Sequence, residues 1–177
     1  DAVGCPGRIA RRIDGAGQPR AHAAGVAMLL ALDARHQGGD ALRQAAFEVM
    51  HELAGFHPRL VGDVLSGSAT PHSAVDLHLF SDTAESVGAA LEVLGIAHRD
   101  IARRHRLRHD EVEAFPAYRF AVHDCEFSST VFPLRLRGHA PLSPVDGRPM
   151  RRASLRELGE LLKEVGAPSG AIDTDRA

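Results

Sequence analysis

Apolar positions in this chain recur at two different spacings, and the switches between them divide it into elements. From Asp40 onward, Leu42, Ala45, Ala46, Val49, Met50 and Leu53 return every three or four residues, the spacing of one helix face, until Gly55 and Pro58 stop the run. Residues 60–65 and 75–80 are short apolar runs of strand type on either side of a loop of Ser, Gly, Thr, Pro and His. In the second run Val75, Leu77 and Leu79 alternate with Ala74, Asp76 and His78, so at period two Asp76 and His78 share the face opposite the core.

The helical spacing then resumes. Asp82 and Glu85 have the separation of a capping box, ahead of Val87, Ala90, Leu91 and Leu94 and a stop at Gly95. Residues 118–122 and 127–132 are strand-like and joined by 123–126, most simply as a hairpin. Residues 133–150 contain prolines and turn residues and form a long loop, of the kind that covers a site, meets a partner or wraps a domain. Ser154 and Glu157 make another capping box, opening a last helix with Leu155, Leu158, Leu161 and Leu162 that ends near Gly166. Upstream, residues 1–20 have no clear period, 21–36 have helical composition interrupted near Gly25, and Gly38-Gly39 marks a break. The pattern predicts an α/β (α+β) domain over 40–165, a mixed sheet with flanking helices, between an N-terminal segment (1–39) and a loose tail (166–177).

Gly67-Ser68, followed by Ser73-Ala74-Val75-Asp76 on a strand, resembles the signature of the nucleotidyltransferase superfamily, the polymerase-beta-like fold. The runs 56–80, 130–133 and 140–150 are similar to a group of small bacterial nucleotidyltransferase-like proteins, a likeness covering about residues 40–165. The resemblance implies transfer of a nucleoside monophosphate from an NTP to an acceptor, with Mg²⁺ or Mn²⁺ held by carboxylates on one sheet face. On that basis Asp76 and Glu126 are the candidate catalytic and metal residues, with Asp124 as the alternative to Glu126. His78 is a candidate metal ligand, and Gly67, Ser68 and Ser73 are candidates for holding the nucleotide phosphates. Ala74 departs from the pattern, because it stands where the first carboxylate belongs and a methyl group coordinates no cation. Imidazole at 78 suits zinc, manganese or iron better than Mg²⁺.

Composition alters this picture only at the margins. The chain has 177 residues with 44% hydrophobic and 25% charged residues, ordinary for one globular domain, and its formal net charge is -2. Lys163 is the lone lysine, so nearly all the positive charge is arginine. Arg99, Arg103, Arg104, Arg106 and Arg108 cluster among His98, His105 and His109, and Arg135, Arg137, Arg148, Arg151 and Arg152 form a second group. Guanidinium forks suit phosphate if the fold carries them to Asp76; otherwise 98–109 is a solvated connection balanced by Asp100, Asp110, Glu111 and Glu113. One tyrosine and no tryptophan argue against stacking platforms for single-stranded nucleic acid. Cys5 and Cys125 are far apart and form no metal or redox motif, and His105 and His109 lack the surroundings of a helical metal pair. With no apolar run long enough for a membrane span and no secretory h-region in 1–20, a cytoplasmic location is expected. The start at Asp1 rather than Met leaves room for an upstream segment.

Three functions are compatible with these residues: an active metal-dependent nucleotidyltransferase, a degenerate relative that binds a nucleotide or a protein partner without transfer, and an interaction module of toxin–antitoxin type. A metal-dependent hydrolase on Asp76 and His78 is a thinner variant of the first. What separates enzyme from binder is whether a second carboxylate converges on Asp76.

Overall fold

The computed structural model describes residues 39–70 and 72–166. The expectations for 1–38 and for the tail from 167 lie outside the described residues. In chain order the elements are α1 (Gly39–Glu52), a 3-10 turn (Ala54–Phe56), β1 (Arg59–Val61), α2 (Gly62–Ser66), β2 (Val75–Phe80), α3 (Glu85–Val93), β3 (His98–Arg108), β4 (Glu111–Val122), β5 (Cys125–Phe132), a second 3-10 turn (Leu134–Leu136) and α4 (Leu155–Gly166). The strands form a five-stranded mixed sheet in the order β1-β2-β5-β4-β3. Only the β2–β5 pair is parallel, which puts Asp76 beside Ser128 and His78 beside Thr130 at the centre of the sheet.

Alternation along the strands assigns the two faces. Val75, Leu77, Leu79, Tyr118, Phe120, Phe127 and Val131 point into a large apolar layer with Leu42, Ala46, Val49 and Met50 of α1, Val64 of α2, Leu91 of α3 and Leu158 of α4. Among the described residues, the face carrying Asp76 and His78 is covered by no α-helix and holds a small cluster, Phe80, Phe115 and Phe132, with Leu107 and Leu136 packed against it. Residues after Leu136 strap across this side. Leu142 bridges to Arg106 on β3 and to Pro149, Ala153 bridges to Leu60 on β1, and the Arg152 guanidinium lies 5.8 Å from the Phe80 ring centre. The long loop 133–150 is therefore a wrap over one end of the sheet.

The helix expected from Asp40, the last helix and its capping box are all present. Glu157 Oε2 accepts from the Ser154 amide at 2.7 Å and from Ser154 Oγ at 2.6 Å, and Ser154 Oγ in turn accepts from the Glu157 amide at 3.3 Å. Other expectations need correction. The strand expected over 60–65 ends at Val61, because Gly62 takes a left-handed φ of 73° and turns the chain into a helix. Asp82 does not cap α3; its carboxylate accepts the Leu134 amide at 3.0 Å instead, tying the end of β2 to the strap. The hairpin turn is only His123-Asp124, both with positive φ, which fits a tight primed-type connection.

The largest correction concerns 98–109, which is no connection but the long strand β3, paired from His98 to Arg108 with β4. In sheet order β3 lies three strands from β2, ~14 Å at the usual strand spacing. Yet Arg103 touches Asp76 and the His105 ring lies 5.3 Å from that of His78. The sheet must coil steeply, curling the β3–β4 ribbon over β5 so that the face carrying Asp76 becomes a trough.

Candidate functional site

The trough is built from alternate residues on the central strands and on the ribbon that overhangs them. Successive in-register pairs run from Val61 through Asp76, Ser128 and Arg119 to Arg99, a row that is polar from Asp76 onward. One level down lie Arg59, His78, Thr130, Ala117 and Ile101, and below them Phe80, Phe132 and Phe115 form the floor at the strapped end.

Arg103 crosses this trough. Its Nη1 donates to Ser128 Oγ at 2.6 Å and to Asp76 Oδ1 at 3.2 Å, and the side chains of Arg103 and Asp76 are 38% and 36% exposed, so the pair sits at a half-open mouth. Asp76 nevertheless holds its proton more tightly than an ordinary aspartate. Burial is the larger effect, the Arg103 charge and hydrogen bond pull the other way, Asp63 adds repulsion and Arg119 offsets part of it. A half-buried carboxylate beside one guanidinium and near a second carboxylate is thus only partly compensated.

Deeper in the trough are two imidazoles. His78 is 2% exposed, and its Nδ1 has no hydrogen-bond partner among the described residues. Burial pushes its pKa well below the usual histidine value, and His105, Arg152 and Arg103 push it further in the same direction. His105 shares a 3.2 Å hydrogen bond between its Nε2 and Thr130 Oγ1, packs edge-on against His78, and is lowered to about 4 by burial and then by Arg103. Both rings are neutral at ordinary pH, with the Phe132 ring 4.8 Å from His78 and 5.1 Å from His105.

The sequence-predicted residues come together only in part. Asp76 and His78 share the face as expected. Glu126 lies on the same face of β5, but it is exposed and two residues before Ser128, so the position across from Asp76 belongs to a hydroxyl. Asp124 is in the hairpin turn, farther still. Among the described residues no group of three or more His, Cys, Asp and Glu is placed to hold a metal ion. The donors present do not fit Mg²⁺ or Mn²⁺: position 74 is alanine, Ser128 faces Asp76, the Arg103 guanidinium already rests on the carboxylate, and His78 has two guanidiniums among its charged neighbours.

Gly67, Ser68 and Ser73 are also placed differently from expectation. Gly67 closes the C-terminal end of α2 with φ 84°, and both its amide and that of Ser68 donate to the Asp63 carbonyl, at 2.9 and 3.1 Å. Those N–H groups are occupied and cannot cradle a phosphate. Ser68 Oγ donates to Asp63 Oδ1 at 3.3 Å, and Ser73 Oγ accepts the Thr70 amide at 2.9 Å, so both hydroxyls brace their own loop. The glycine that does meet the site is Gly62, where an added Cβ would lie 3.3 Å from Asp76 Oδ2. Arg103, Ser128, His105 and Thr130 were missed as a set. The available signal was the period-two series Ile101, Arg103, His105, Leu107, blurred because half of its inward members are charged or titratable.

Arg99, Arg103, Arg119 and Arg152 bring positive charge to this face, with Arg59 on the edge strand beside His78; the opposing charges are Asp76, Asp63 next to it, and the exposed Glu113 and Glu126. The arrangement can therefore receive an anion through guanidinium and hydroxyl donors. Neither the family models nor the curated proteins contain a match to this chain.

Proposed function

We propose that this protein is a degenerate nucleotidyltransferase-like module that binds a nucleotide on the trough face and does not carry out transfer. The observation that supports it most is the content of the metal-holding positions: Ala74 on β2, Ser128 across from Asp76 on β5, and a guanidinium on the carboxylate that remains. Two-metal transfer needs acidic groups that bridge cations between the attacking and leaving oxygens, and one carboxylate paired to arginine does not supply that clamp. The remaining groups suit binding, since Arg103 and Arg119 offer directional donors to phosphate oxygens at an accessible mouth.

The test is calorimetric titration with ATP, GTP, CTP and UTP, paired with an assay for release of pyrophosphate and for labelled nucleotide on any acceptor. Binding of at least one triphosphate without turnover is the expected result. Pyrophosphate release above background with Mg²⁺ or Mn²⁺ would restore the enzyme, and absence of binding to every nucleotide would end the reading.

A further inference from the structure

We propose that Arg103 is the resident cation of this site, taking over the role of the metal ion, so that the trough binds the phosphate groups of its ligand without divalent cations. This rests on the nucleotide-binding reading and adds to it the chemistry of recognition. Three observations carry it. First, Arg103 comes from an edge strand three places away from β2, and only the steep coil of the sheet brings it to Asp76; its contacts at 3.2 Å to the carboxylate and 2.6 Å to Ser128 Oγ are the centre of the site. Second, both contacts use Nη1, while Nη2 and Nε make no hydrogen bond among the described residues, which leaves one edge of the fork for a ligand oxygen. Third, Arg119 is in register with Ser128 on the same face and is exposed, so a second guanidinium flanks the mouth.

A metal ion bridges a carboxylate and a phosphate because it is positive toward both. A guanidinium does the same with fixed direction, donating to the Asp76 carboxylate from one nitrogen and offering the others to an oxyanion. Asp76 then has a different job from that of a metal ligand. It orients Arg103 and, being negative, opposes the incoming phosphate. Its removal should consequently help anion binding, whereas removal of a metal-holding aspartate abolishes it.

The experiment is isothermal titration of the whole chain with ATP in EDTA and again with Mg²⁺, using wild type, Arg103→Met, Arg103→Lys and Asp76→Asn, with thermal melts of each to confirm folding. Inorganic pyrophosphate is titrated alongside to test whether phosphate alone is recognised. The expected pattern is ATP binding in EDTA, weakened about tenfold or more in Arg103→Met, partly kept in Arg103→Lys, and tighter in Asp76→Asn. Wild-type binding that requires Mg²⁺, or a tenfold loss in Asp76→Asn, would overturn the role of Arg103 while leaving nucleotide binding intact. Binding that survives in folded Arg103→Met at wild-type strength would do the same. No binding of ATP or any other nucleotide by wild type would remove the underlying reading as well.

Discussion

His78 and His105 are the residues whose placement most constrains the behaviour of the protein in solution. Both are less basic in the fold than in the unfolded chain, His105 falling from 6.5 to about 4 and His78 well below its usual value. The unfolded chain takes up protons from about pH 6.5 downward that the fold refuses, so the stability associated with these rings is fully present above 6.5 and is lost as pH falls toward 4. Asp76 opposes this trend, since its raised pKa makes the fold easier to protonate there than the unfolded chain. Urea melts between pH 7 and 5 should therefore show a steady loss of stability whose slope is reduced, with the His78 part remaining, in His105→Gln. A wild-type midpoint independent of pH across that window would contradict the burial of both neutral rings. Phe132, edge-on to both, should matter in the same way: Phe132→Leu opens the floor to water and moves the His105 titration, followed by NMR, upward from about 4.

At the scale of elements, legibility in the sequence followed how one-sided each element is. Helices α1 and α4 bury one face against apolar neighbours and expose the other, and strand β2 alternates Val75, Leu77 and Leu79 with Asp76 and His78, so their periods survive in the sequence and their residues are found where the spacing puts them. Strand β3 is lined inward by Arg103 and His105 and outward by Arg104 and Arg106, so no apolar alternation distinguishes it from a solvated connection. The site inherits that blind spot, because half of its chemistry comes from β3. The turn from β1 into α2 was misplaced for a related reason: 60–65 is apolar throughout apart from Gly62 and Asp63, and only the left-handed φ at Gly62 splits it. Gly62→Ala should destabilise by about 1–2 kcal/mol through that φ and crowd Asp76. Gly55→Ala, with nothing near its added methyl and no positive φ, should be neutral or slightly stabilising in the same denaturant titration. Equal effects of the two would mean that the β1–α2 turn is not strained by a side chain.

Over the whole molecule, one sheet separates two unlike environments. Its helix-covered side is a continuous apolar layer, and its other side is a polar trough closed at one end by three phenylalanines and a strap. No helix among the described residues is long and apolar enough to cross a membrane. The coil that makes the trough also fixes where the sheet stops. Strand β3 is the last strand, and among the described residues its outer edge is met only by Leu142 at Arg106, leaving a row of backbone donors and acceptors open to any other extended chain. Arg99, Arg103, Arg104, Arg106 and Arg108 punctuate that row. Two copies approaching edge to edge would bring like charges together before any ladder could form. The same guanidiniums that equip the mouth of the trough therefore act as a solubility guard, one that weakens as salt screens them and disappears wherever arginine along this strand is exchanged for a neutral residue of high strand propensity.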